Sequence, residues 1–290
     1  PSIITPVYDA SSFLNPSGIP GTIRQWYWGF NSKKYPLNAR VWYPEGNGTF
    51  PLLLIVHGNH TMNEFSDDGY EYLGKLLASR GIITVSVDQN FLNGSWLDDF
   101  GQSENIVRGL ILLEHLKNWR KWNSEQSNVF FGKVDTSNIF LAGHSRGGQA
   151  VAIAAAMNKL PRYHTDSKIE FNYGFNIKGI IQIAPNDPYE PTKGNPLKLQ
   201  DINYLLIQGG HDADVFTPMG NRVYNRLALS DTSNCFKAFI YSYRSNHGQF
   251  NTSWGKYDFG YPKTRLLNVQ SILDAEEQRK IAKVYISAFI

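Results

Sequence analysis

The sequence predicts an α/β protein: a doubly wound, mostly parallel sheet with helices on both faces and an antiparallel N-terminal hairpin at its edge. Three observations lead there. Unbroken apolar runs of strand length recur at Pro51–Val56, Ile82–Val87, Gly179–Ala184 and Tyr204–Gln208, and such runs belong to strands covered on both faces. Segments with apolar residues at helical spacing alternate with them. One stretch, Asn138–Ala150, reads as strand, then Gly143-His144-Ser145-Arg146-Gly147, then the Ala-rich helix former Ala150–Met157.

Residues 1–20 are rich in Ser, Pro and Gly and read as an extended N-terminal arm on one domain spanning residues 1–290. Gly21–Phe30, with Ile23, Trp26 and Trp28, reads as a first strand. Leu37–Tyr43 reads as its hairpin partner, ended by Pro44 and the Gly46-Asn47-Gly48 turn. Pro51–Val56 is a central strand that stops at His57-Gly58-Asn59-His60. Tyr70–Arg80 is a helix with Leu73, Leu76 and Leu77 on one face, closed by Gly81. Ile82–Val87 is the next strand, followed by a polar loop from Gln89 to Gln102 that carries Phe91, Trp96 and Phe100. Glu104–Trp119 has the helical spacing of Ile106, Val107, Leu110, Leu113 and Leu116. Residues 161–176 show no clear pattern. After the strand at 179–184, Asn186–Gln200 is a loop with three prolines. Tyr204–Gln208 is a strand running into Gly209-Gly210-His211-Asp212-Ala213-Asp214. Arg222–Leu229 is a short helix, Lys237–Tyr241 the last strand, and Ser271–Phe289 a terminal helix.

Length and composition narrow the function. A chain of 290 residues with 42% hydrophobic and 18% charged residues can bury a large core. The net charge of +3 is small and unclustered, which argues against nucleic acid as a partner. No stretch approaches the ~20 apolar residues of a membrane span. The lone cysteine, Cys235, reads as a small buried apolar side chain. The chain starts at Pro1 without a signal peptide, as a processed product would, so secreted and cytoplasmic locations stay open. Oligomeric state is not encoded in any pattern here.

The chemistry collects where the strands end. In Gly143-His144-Ser145-Arg146-Gly147 the serine sits on a turn too tight for side chains at the flanking glycines, which lifts its hydroxyl above the sheet. A serine hydroxyl needs a base within hydrogen-bond reach, and the base needs an orienting acid. Of seven histidines, only His247 follows the last strand, in a turn-prone Asn-His-Gly loop; His115 is mid-helix, His164 lies in an unpatterned segment, and His144 adjoins the nucleophile and points elsewhere. Asp212, just off the strand end, is the first choice of acid, with Asp214 and then Asp187 as alternatives. Two backbone N–H groups should hold an oxyanion: Arg146, after the nucleophile, and Asn59, after the first parallel strand, where Gly58 permits close approach. Trp96, Trp119, Trp122 and Trp254 are candidates for a substrate groove; Trp96 lies in a loop at the active edge, whereas Trp119 and Trp122 share a helix end and read as packing. His57 and His60 do not make a metal pattern, since no third ligand is visible and His-Glu-x-x-His is absent.

The His57-Gly58-Asn59 loop, the Gly143–Gly147 turn, an acid at Asp212 and a base at His247, in the order Ser, Asp, His, resemble the α/β-hydrolase superfamily over nearly the whole chain. The compact plan without a long inserted lid is similar to the dienelactone-hydrolase, cutinase and polyester-hydrolase branch. The resemblance implies the α/β-hydrolase fold and hydrolysis of a small or polymeric carboxylic ester through an acyl-enzyme, without a cofactor. Two features depart from that branch: it commonly has paired cysteines and often Met where Arg146 stands here. The same parts would serve an amidase or peptidase, and the fold also occurs in non-catalytic binding modules.

Overall fold

A computed structural model describes residues 3–97, 99–100, 104–188, 195–259 and 262–290. Two short strands, β1 (Val7–Tyr8) and β2 (Tyr35–Pro36), pair antiparallel, and helix α1 (Gly18–Trp28) lies between them in sequence. The main sheet contains β3 (Ala39–Trp42), β4 (Phe50–Val56), β5 (Ile83–Val87), β6 (Val134–His144), β7 (Ile177–Ile183), β8 (Asn203–Gly209) and β9 (Lys237–Ser242). Its spatial order is β3-β5-β4-β6-β7-β8-β9. Every neighbouring pair is parallel except β3 with β5. Helix α2 (Glu71–Ala78) connects β4 to β5, and α3 (Asn105–Ser124) connects β5 to β6. Helix α4 (Arg146–Met157) follows β6, α5 (Met219–Arg226) precedes β9, and α6 (Ala275–Phe289) ends the chain.

The unbroken apolar runs have the cause inferred for them. Side chains alternate across a strand, and in β4 both sets are buried. Leu52, Leu54 and Val56 pack in one core with Leu110 and Leu113 of α3 and Val151 of α4. Leu53 and Ile55 pack in the other with Leu73 and Leu77 of α2 and Ala282 and Ile286 of α6. Each such side chain is worth roughly 1.5–3 kcal/mol when fully withdrawn from water, so both faces need their helices. This is the α/β-hydrolase fold.

The register sets where the loops emerge. Val56 of β4 lies opposite Gly143 of β6, and His144 lies opposite Ile183 of β7. Ile183 pairs with Ile207, and Gly209 with Ser242. The carboxyl ends of β4, β6, β8 and β9 therefore stand at one rim. The chain leaves β4 toward β5 and returns on the other side as β6, so the crevice between β4 and β6 is the point where winding direction reverses, the usual ligand site of such sheets.

Residues 21–30 correct the sequence reading. They form most of helix α1, not a strand, and Leu37–Tyr43, trimmed to β3, is an antiparallel edge strand whose partner is β5 rather than a hairpin mate. Helix signals are present: Pro20 in the first turn, where its missing N–H is harmless, and Gly29 with φ 71° as the left-handed cap, donating to Gln25 O. The N-terminal arm is anchored as well, with Ala10 and Leu14 buried. Parts of the 89–102 and 186–200 loops lie outside the described residues. Among the described residues no helix is long and apolar enough to cross a membrane.

Candidate active site

Ser145 joins β6 to α4 with φ 58° and ψ −124°, a conformation rare for a residue bearing a side chain. Such strain costs on the order of 1–3 kcal/mol and persists only where the surroundings enforce it. Here Ser145 N–H donates to Ile183 O of β7 (2.9 Å), and Gly148 N–H donates to Ser145 O (2.9 Å). The flanking glycines are steric requirements. A Cβ on Gly143 would sit 2.0 Å from Gly147 O, and one on Gly147 would sit 2.4 Å from Val56 O. Gly58 belongs to the same crowd: a Cβ there would lie 2.5 Å from Ser145 Cβ and 3.0 Å from Arg146 N. The loop after β4 is thus pressed against the turn after β6.

His57 fixes that loop. Its Nδ1 lies 2.8 Å from Gly58 O, and Gln89 N–H points at its Nε2 across 3.1 Å. A carbonyl only accepts and an amide N–H only donates, so the ring carries its proton on Nδ1. Burial, with the Arg108 charge, lowers the His57 pKa to about 4 and keeps the ring neutral. Asn59 is held through its side chain, which accepts from Gly94 N–H (2.7 Å) and donates to Asp99 Oδ2 (3.4 Å). Asp99 also accepts from Arg146 Nη1 (3.0 Å), and Arg146 Nη1 donates to the fully buried Glu104 (2.7 Å). The two residues expected to supply oxyanion donors, Asn59 and Arg146, are therefore linked through Asp99.

His247 and Asp212 come together from β9 and β8. His247 Nδ1 is 2.9 Å from Asp212 Oδ2, and both side chains are buried. Asp212 is fixed in turn: Val215 N–H (2.7 Å) and Asp214 N–H (3.1 Å) donate to Oδ1, and Gln208 Nε2 (3.1 Å) donates to Oδ2. The carboxylate can only accept, so Nδ1 carries the proton and Nε2 is left as the basic nitrogen. Nε2 is buried and makes no hydrogen bond among the described residues, Ser145 Oγ included; Asp214 Oδ2 stands 3.5 Å away. Burial alone would push the His247 pKa down, but the Asp212 charge and hydrogen bond, followed by Asp214 and Asp258, raise it to about 9. His247 packs beside the elbow, its ring 4.8 Å from that of His144, the residue preceding Ser145. Trp254 lies flat along His247 at 6.0 Å, touches His144 at 4.5 Å, and donates its indole N–H to Ser66 Oγ.

The other sequence candidates separate. Asp214 is half-exposed and faces the opposite nitrogen of His247. Asp187 is engaged by the Arg226 guanidinium through both oxygens. Trp96 is 90% exposed. Trp119 is buried and packs edge-on against Trp122. A cavity of about 640 Å³ lies at the far end of α4 between Met157 and Leu197, and shares no residue with this cluster.

Asp258 escaped the sequence reading. Its Oδ1 accepts from Gly248 N–H (3.0 Å) and Asn246 Nδ2 (2.8 Å), and its Oδ2 from Ala213 N–H (3.0 Å) and His247 N–H (3.0 Å). One carboxylate thus ties the loop of Asp212 to the loop of His247. It lies in no motif, and no spacing marks it.

Comparison with known proteins adds a family. A family model described as chlorophyllase matches residues 29–184, more than half the chain. That stretch holds Gly58 and Ser145; Asp212 and His247 lie beyond it. The crystal structure of dienelactone hydrolase from Anabaena variabilis ATCC 29413 is similar, with a TM-score of 0.46 and 17% identity over 88% of this chain and 93% of that one. Curated proteins yield no match.

Proposed function

This chain belongs to the chlorophyllase family and is a hydrolase of the α/β fold, and from that premise we propose that it cleaves carboxylic esters through an acyl-enzyme formed on Ser145. The observation that carries the reading is the buried His247–Asp212 pair beside a strained, elevated serine.

In the proposed cycle, His247 Nε2 takes the Ser145 proton as Oγ attacks the ester carbonyl. Asp212 holds the Nδ1–H tautomer and stabilises the imidazolium that forms. The N–H groups of Asn59 and Arg146 hold the tetrahedral oxyanion, an effect worth on the order of 10²–10³ in rate per donor. Arg146 N is the first nitrogen of α4, where helix N–H groups have no partner within the helix and carry partial positive charge. The imidazolium then protonates the leaving alcohol. Water, activated by the same nitrogen, releases the acid and regenerates Ser145. In this cycle His247 Nε2 turns from Asp214 toward Ser145 Oγ.

A fluorophosphonate probe tests the assignment. It should label Ser145 alone, and Ser145→Ala should lose both labelling and turnover of short aryl esters. Labelling of another residue, or turnover that survives the substitution, refutes the reading. The family's name makes chlorophyll the first large ester to offer beside the aryl series.

A further inference from the structure

Helix α1 is inside out. Its one charged residue, Arg24, is 1% exposed and faces the protein, where Nη1 donates to Phe91 O (2.7 Å) and Asn93 O (2.6 Å) and the guanidinium lies 4.6 Å from the Phe100 ring. Four of its apolar residues face outward, while Trp28 packs inward against Phe91. Ile19, Ile23, Trp26 and Tyr27, spaced as i, i+4, i+7 and i+8, form one stripe and are 76%, 38%, 82% and 48% exposed. An ordinary surface helix shows the opposite arrangement, and a contiguous exposed apolar stripe marks an interaction surface.

Composition, charge and position name the occupant. Trp and Tyr carry a polar tip on an apolar ring and favour the boundary between water and acyl chains. Between Asp9 and Glu45 the sequence has no acidic residue and four basic ones, Arg24, Lys33, Lys34 and Arg40. Lys33 and Lys34 are exposed in the turn that follows α1, which complements an anionic surface. The inward face of the same helix is tied to the candidate active site. Arg24 grips Phe91 and Asn93, the start of the loop whose Gly94 is held by Asn59 and whose Asp99 holds Arg146. That loop carries Trp96, and Phe65, half-exposed, packs edge-on against Trp28 at 6.1 Å.

We propose that α1 is an interfacial docking helix: it lays Ile19, Ile23, Trp26 and Tyr27 into the headgroup–acyl boundary of an anionic lipid surface and brings the Ser145 site to esters dissolved there. Docking stands on the stripe and the charge; the delivery of esters rests on the hydrolase reading above. A helix lying in the interface plane gains affinity from buried apolar area together with attraction to anionic lipid.

Flotation with phosphatidylcholine vesicles, with and without added phosphatidylglycerol, tests docking on the full chain. The protein should float with the mixed vesicles, more weakly with phosphatidylcholine alone, and less as salt rises. Ile23→Gln/Trp26→Ser should weaken binding by at least about 100-fold, since withdrawing each of the two large apolar side chains is worth about 10-fold or more, and Lys33→Glu/Lys34→Glu should remove the lipid-charge preference. Turnover of a soluble aryl ester, scored on the same samples, should be unchanged in both variants while turnover of a vesicle-borne ester falls. Loss of aryl-ester turnover in the unaltered protein would count against the hydrolase reading and leave the flotation result intact. Docking is overturned if the protein floats with neither vesicle, if Ile23→Gln/Trp26→Ser floats as before, or if those substitutions instead dissolve a dimer.

Discussion

Asp258→Ala is expected to lower kcat/KM for a soluble ester by about 10²-fold although residue 258 touches no reacting atom. The carboxylate collects four donors, three of them backbone N–H groups of Ala213, His247 and Gly248. An N–H left without a partner costs about 1–3 kcal/mol. Asp258 is only partly buried, so water replaces part of the loss and the lower end applies, roughly 3 kcal/mol for the three. That is enough to let the Asp212 and His247 loops part, and a shift near 1 Å between reacting groups costs about 10²-fold in rate. The charge matters separately. Asp258 is one of the three carboxylates that raise His247 against the effect of its burial, so its removal should move the acid limb of the pH–rate profile downward. Asp258→Asn keeps one acceptor oxygen and no charge; it should recover part of the rate and keep the downward shift. The assay is kcat/KM across pH on a short aryl ester, with Tm measured alongside. A rate within about threefold of the unaltered protein, or a fall in rate with an unmoved profile, refutes the clamp as an influence on His247.

Four further outcomes follow from the same geometry. Asp212→Asn should cut kcat on the order of 10⁴-fold by releasing the Nδ1–H tautomer, while Asp214→Asn should change it by less than about tenfold and lower the apparent pKa of His247; the reverse order of losses would make Asp214 the acid. Because the base works only when neutral and His247 holds its proton up to about 9, kcat/KM should climb with pH and level off near that value; a plateau already reached at neutrality contradicts the three-carboxylate environment. The folded-state pKa lies above the unfolded one, so the His247–Asp212 pair contributes its full stability below about 6.5 and loses it as pH rises through about 9: Tm should fall along that alkaline stretch. Gly58→Ala places a carbon 2.5 Å from Ser145 Cβ and should slow fluorophosphonate labelling of Ser145 by at least about 10²-fold; normal labelling would show that the two loops are not in contact.

Much of this could be read locally. Leu52–Val56 announced a central strand because both faces of β4 are covered, which leaves no polar residue in the run. The Ser145 turn was legible because the crowding at Gly143 is local, its absent Cβ making room for Gly147 O, whereas Gly147 makes room for Val56 O of β4, a contact only the fold supplies. Helix α1 misled for an equally physical reason. With Arg24 turned inward and Trp26 outward, its residues obey the helical period but invert the expected burial, and their aromatic and β-branched content resembles a strand.

What the sequence by itself determined is therefore the chain's local commitments: which segments are strands covered on both sides, where the serine is lifted, and that a late histidine and a nearby aspartate follow their strands. Only the tertiary structure decided which carboxylate meets which nitrogen. Asp212 and Asp214 share one short loop, and their contacts separate only when β8 and β9 align Gly209 with Ser242 and Asp258 draws Ala213 and His247 together. Sheet register and the packing of loops distant in sequence fix those contacts, and no spacing along the chain encodes them.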